Sequence, residues 1–139
     1  MRKHGLLNAP LARVVAEMGH TDTLAIADAG LPIPPGTPRI DLAVRPGVPG
    51  FVDVLEAVLD ELCVERALLA TEMKTASPGL HDVTTERLAG AVAGIDTGAH
   101  VDYLDHDVFK VRLAGARAVV RTGECTPFAN VLLTSGVPF

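Results

Sequence analysis

Residues 19 to 34 read GHTDTLAIADAGLPIP, with His20 and Asp28 at the two ends of a short apolar run. Histidine is the side chain that ordinarily titrates near neutrality, so His20 can both give and take a proton. It can equally be a histidine at a helix C-terminus, where the helix dipole favours imidazolium. Asp28 stands where a strand should end, and it has two readings of its own. It can accept amides of the loop that follows, or it can accept a ligand's hydroxyl at the carboxyl end of a parallel sheet. Prolines at 32, 34, 35 and 38 stiffen that loop, which lowers the entropy cost of holding a ligand. His106, between Asp105 and Asp107, is either a solvated histidine at a helix start or a second proton-handling or hydroxyl-binding group. His4, His81 and His100 stand in contexts that read as exposed or terminal and receive no role.

Other chemistries lack their motifs. No GxGxxG follows a strand, and there is no GxxxxGK[ST], GxSxG or HExxH, which argues against dinucleotide, nucleoside triphosphate, α/β-hydrolase and zinc-protease readings. His20 and Asp22 with Asp28 form only a weak metal pattern. The net charge is −5 and no Lys/Arg cluster is interleaved with aromatics, so nucleic acid is not an expected partner. No run of roughly 18 apolar residues exists for a membrane helix, and the N-terminal segment is interrupted by Asn8, Pro10 and Arg13, unlike a secretory leader. Cys63 and Cys125 are far apart and form no CxxC pair. They read as buried small hydrophobes in a reducing, cytoplasmic setting.

The elements that must position these groups follow from spacing. Asn8 and Pro10 open a helix carrying Leu11, Val14, Val15 and Met18, and Gly19 stops it. TLAIAD and IDLAV read as strands on either side of the proline loop. Phe51, Val54, Leu55, Val58, Leu59 and Leu62 mark an amphipathic helix, and VERALLATEM a buried strand. SPGLHDVTTERLAGAVAG is helical, HVDYL a strand, and the segment from Asp105 a short helix ending near Gly115. ARAVVRTG and NVLLTS are strands flanking the loop ECTPFA. The alternation predicts one α/β domain over 1–139, with a mostly parallel sheet flanked by helices in a Rossmann-like three-layer arrangement. A mean hydropathy of +0.31 and 48% hydrophobic residues are high for so small a domain, so part of the surface is expected to meet another subunit.

GHTDTLAIADAGLPIP, GVPGF at 47–51, RTGECTPFANVLL at 121–133 and the terminal SGV resemble the ribose pyranase and fucose mutarotase family over nearly the whole chain. DAGLPIP has the form of the ribose branch. The resemblance implies a cytoplasmic isomerase without cofactor or metal that interconverts the pyranose and furanose forms of D-ribose. It further implies a homo-oligomer, a decamer of two pentameric rings with active sites at subunit interfaces. Residue by residue, it makes His20 the proton donor, and Asp28, His106, Phe128, Ala129 and Asn130 substrate-binding groups, with Lys110 also near the sugar. Family members commonly carry tyrosine where this chain has Phe128. Asp28 then either orients His20 or holds a hydroxyl. Three alternatives remain at this level: a mutarotase for fucose or another monosaccharide, a ribose-binding module without turnover, and a metal site at His20, Asp22 and Asp28.

Overall fold

The computed structural model describes residues 1–92 and 100–139. Helix α1 (Ala9–Glu17) begins where the Asn8 side chain accepts the Leu11 amide and ends before Gly19. Strand β1 (Thr23–Ala27) follows, buried from Leu24 onward. Strand β2 (Arg39–Asp41) is shorter than the IDLAV pattern predicts. The Asp41 carboxylate accepts the Ala43 amide and turns the chain, a local bond that competes with the ladder. Helix α2 (Phe51–Leu59) buries Phe51, Val54, Leu55 and Val58.

Strand β3 (Val64–Ala70) also ends earlier than VERALLATEM suggests, because the last residues turn into the short helix α3 (Met73–Ala76). Helix α4 (Pro78–Val92) occupies the predicted span, whose final residues, 93 and 94, lie outside the described ones. Its buried positions include Thr84, whose hydroxyl donates to the Leu80 carbonyl at 2.7 Å and so enters the core satisfied. Strand β4 (His100–Leu104), helix α5 (His106–Arg112), a 3₁₀ turn (Leu113–Gly115), β5 (Ala118–Arg121) and β6 (Val131–Ser135) complete the chain.

The six strands run β2-β5-β1-β6-β3-β4. The β2–β5, β5–β1 and β3–β4 pairs are parallel, and β6 lies antiparallel between β1 and β3. One face packs its larger core, including Leu24, Ile26, Leu69, Val120 and Leu133, against Leu11, Phe51, Leu55, Val58 and Leu88. The other face carries a smaller cluster in which Ala25, Ala27, Val119 and Leu132 meet Leu31, Phe109 and Leu113. Among the described residues the second helical layer is therefore thin, with α5 its one α-helix. Beside it opens a cavity of about 710 Å³ over β1, β3, β4 and β6, lined in part by Arg66, Asp102, Arg112 and Thr134. No helix among the described residues is long and apolar enough to cross a membrane.

Candidate active site

The loops after β1, β3, β4 and β5, with the start of antiparallel β6, gather at one end of the sheet. There Asp28 and Asn130 hold each other reciprocally. The Asp28 amide donates to Asn130 Oδ1 at 2.9 Å, and Asn130 Nδ2 donates to Asp28 Oδ2 at 2.9 Å. Asp28 Oδ1 accepts the Gly30 amide at 2.9 Å. Asn130 and Ala129 are fully buried, and the Ala129 methyl carries no hydrogen-bonding group, so only its backbone can bond a ligand. The proline loop is tied down where Ala29 donates to the Glu124 carbonyl at 2.8 Å and Arg121 Nε donates to the Ala29 carbonyl at 3.0 Å. Asp28 borders a cavity of about 360 Å³ with Glu124, Thr126 and Pro127.

His106 opens α5, and its amide donates to both oxygens of the Glu72 carboxylate at 3.0 Å. Its ring lies parallel to Phe109, with centroids 6.3 Å apart, and meets Phe128 edge-on at 5.0 Å. Among the described residues, His106 Nδ1 is the one buried side-chain nitrogen or oxygen without a hydrogen-bond partner. A buried polar atom left so costs about 1–3 kcal/mol, which a hydroxyl brought by a ligand would recover. Phe128 has φ +61°, a left-handed conformation unfavourable for a bulky side chain. The turn around it is fixed by Ser77 Oγ donating to the Pro127 carbonyl at 2.7 Å and by the Asn130 amide donating to the Phe128 carbonyl at 2.8 Å.

Glu124 ties the same turn to α2. Burial alone would push its carboxyl up. Against that, it accepts the Thr126 hydroxyl at 2.7 Å and the amides of Thr126, Phe51 and Cys125, and these bonds hold it below the ordinary glutamate value. Lys110, on α5, pairs with Asp107 Oδ1 at 2.8 Å, and that bond and charge hold the Asp107 carboxyl below the usual range.

His20 is elsewhere. It precedes β1, whereas Asp28 follows it, and five strand residues at ~3.3 Å each put about 16 Å between the strand's ends. His20 Nε2 lies 2.8 Å from Glu65 Oε2, at the start of β3. Within one chain Asp28 therefore does not orient His20; Glu65 is its partner. The segment around His20 is pinned to β6: the Thr21 amide donates to the Ser135 carbonyl at 2.9 Å, the Ser135 amide to the Asp22 carbonyl at 2.8 Å, and the Gly19 amide to Asp22 Oδ2 at 2.9 Å. Thr21 has φ +71°, a second left-handed non-glycine residue.

Of the predicted site residues, Asp28, His106, Phe128, Ala129 and Asn130 thus share one end of the sheet, Lys110 stands one turn further along α5, paired with Asp107, and His20 lies at the other end. His20, Asp22 and Asp28 do not converge as a metal triad, and no group of three metal-ligating side chains occurs among the described residues. Two expectations change. His81 is largely covered, its side chain 17% exposed and its Nε2 2.8 Å from the Tyr103 hydroxyl. The cysteines are not both buried: Cys63 is half-buried and Cys125 exposed. Glu65, Glu72 and Glu124 carry no local sequence signal, because each acts through a partner remote in sequence or through backbone amides.

The chain matches the model of the RbsD / FucU transport protein family over residues 1–138. Curated D-ribose pyranases of Laribacter hongkongensis and Chromobacterium violaceum are 52% and 50% identical to it, over the full length of both chains in each comparison. The structure of Bacillus subtilis RbsD complexed with D-ribose superposes with a TM-score of 0.91 at 40% identity, covering 100% of each chain. The fucose mutarotase from Streptococcus pneumoniae, in complex with L-fucose, superposes with a TM-score of 0.77 at 26% identity, covering 98% of this chain and 99% of that one.

Proposed function

The chain belongs to the RbsD / FucU transport protein family, and from that membership we propose that it is an isomerase interconverting the pyranose and furanose forms of D-ribose. The observation that carries this reading is the cluster of Asp28, Asn130 and His106 at one end of the sheet, in a chain half identical from end to end to curated D-ribose pyranases.

The reaction asks for little beyond proton transfer. Opening the pyranose breaks the bond from C1 to the ring oxygen. The electron pair stays on that oxygen, which takes a proton, while the C1 hydroxyl loses its proton and becomes a carbonyl. Closure through the neighbouring hydroxyl reverses the pattern: that oxygen bonds to C1 and loses its proton, and the carbonyl oxygen regains one. No atom is lost, and a six-membered ring becomes five-membered. His20 is the proton donor to the ring oxygen. Asp28 accepts a sugar hydroxyl through its carboxylate, held in place by Asn130. His106 Nδ1 bonds a second hydroxyl, Phe128 flanks the sugar, the backbone around Ala129 supplies a further contact, and Lys110 borders the site. A positioned acid of this kind contributes roughly 10²–10⁴-fold, useful for a reaction that already proceeds in water.

Because His20 and Asp28 lie at opposite ends of β1, a complete site takes His20 from a second copy of the chain. A closed ring supplies this for every subunit by repeating one head-to-tail contact, and a decamer of two pentameric rings is the assembly that the family resemblance suggests. Free Cys63 and Cys125 fit a reducing cytoplasm.

Magnetisation-transfer NMR on D-ribose at equilibrium tests the reading. Acceleration of pyranose–furanose exchange by the wild type, lost in His20→Ala with fold and assembly intact, is the expected result. Ribose binding without acceleration would refute the assignment as an isomerase.

A further inference from the structure

A proton donor needs a group that holds it ready, and only one of the two His20 ring nitrogens can face the sugar. We propose that Glu65 is the positioning residue for His20: it fixes one proton on Nε2 and leaves Nδ1 as the nitrogen that takes up the second proton, giving imidazolium, and hands that proton to the sugar. This inference rests on the reading of His20 as the proton donor.

The contact is short and its direction follows from chemistry. His20 Nε2 and Glu65 Oε2 are 2.8 Å apart, and a carboxylate oxygen accepts, so Nε2 carries the hydrogen. Nδ1 is then the nitrogen free to exchange a proton. The arrangement has the logic of a base oriented by a third group, in which a carboxylate holds one imidazole nitrogen so that the other faces the reaction. The two side chains are 54% and 30% exposed, and a surface ion pair of that kind adds little stability. Orientation is the larger effect open to it.

Both partners are built in from rigid elements. His20 sits between Gly19 and the left-handed Thr21, on a segment bonded twice to the end of β6. Glu65, the second residue of β3, lies beside Gly136. A side chain at 136 would place its Cβ 3.1 Å from the Glu65 Cβ and 3.5 Å from Glu65 Oε2. Glycine at 136 thus leaves the space in which the carboxylate lies, and the Gly136 amide, donating to the Cys63 carbonyl at 2.8 Å, holds that backbone in place.

The test combines long-range ¹H–¹⁵N correlation spectra of the histidine rings with ribose exchange rates at saturating and sub-saturating sugar. In the wild type, neutral His20 should show a protonated Nε2. Glu65→Ala should lose that single tautomer and cut the saturated rate roughly 10- to 100-fold, part of the 10²–10⁴ available to a positioned acid, with half-saturation little changed. Glu65→Gln, which retains an acceptor, should recover much of both, and Gly136→Val, which crowds the carboxylate, should resemble Glu65→Ala. A neutral wild-type His20 carrying its one proton on Nδ1 would overturn the proposal without any variant. So would a wild-type rate in Glu65→Ala when His20→Ala is inactive. Retention of exchange in His20→Ala would instead overturn the role of His20 itself.

Discussion

Asp28 and Asn130, 102 residues apart in sequence, are joined by two hydrogen bonds that use the backbone of one and the side chains of both. The amide of Asn130 spends its oxygen on the Asp28 N–H and one of its hydrogens on the Asp28 carboxylate. It thereby sets the position of the carboxylate as well as its orientation.

Replacing Asn130 by alanine should therefore act on fold and function together. The part-buried Asp28 N–H loses its acceptor, which costs up to about 1–3 kcal/mol, the range for a fully buried donor. Chemical denaturation should register that loss. Ribose exchange should fall further than stability alone explains, because the carboxylate proposed to accept the sugar hydroxyl is no longer held.

His20→Ala and Asp28→Asn should each abolish exchange, yet a mixture of the two, reassembled after dissociation, should regain activity. With random mixing in a closed ring, roughly one quarter of sites combine an intact donor with an intact acceptor. Recovery near that level supports a shared site. No recovery in demonstrably mixed oligomers would place the whole reaction within one chain.

Phe128 contacts the His106 ring edge-on, an arrangement worth about 0.5–1.5 kcal/mol beyond area burial. Phe128→Leu should lower stability by about that amount and slow exchange by loosening His106. Phe128→Tyr should keep both contact and fold, and its exchange rate, compared with that of the wild type, measures what a hydroxyl at this position adds.

The Glu124 carboxyl is held below the ordinary value by the Thr126 hydroxyl and by three amides, which outweigh its burial. Its folded-state value is depressed, so it contributes stability that is present above the unfolded value and lost as pH falls through the folded one. Thermal unfolding followed from pH 7 into the acid range should show that loss in the wild type. Glu124→Gln should be less stable at pH 7 and should converge with the wild type at low pH.

Much of this fold is legible in the sequence because its signals are local. Asn8 and Pro10 mark the start of α1, the LAIA run marks β1, and the spacing from Phe51 to Val58 marks the buried face of α2. Strand ends are less legible: β2 and β3 stop where a side chain turns the backbone or a short helix begins. For the candidate site, Asp28 and His106 stand out by position at element boundaries. The bond between His20 and Glu65 spans 45 residues, and no local pattern announces it. Spacing along TLAIAD puts His20 and Asp28 at its two ends, but period and propensity describe a strand's faces and say nothing of what gathers at either pole.

With the shared site proposed above, the two poles of β1 would also govern how damage spreads. A chain defective only at His20 would spoil the site of the neighbour it serves, and one defective only at Asp28 would spoil its own. A chain carrying both lesions would remove two sites from the proposed head-to-tail ring while occupying one place in it. Co-expressed with normal copies, such a double mutant would poison the assembly beyond its numerical share, so inheritance of the defect would be partly dominant even though each lesion is a simple loss.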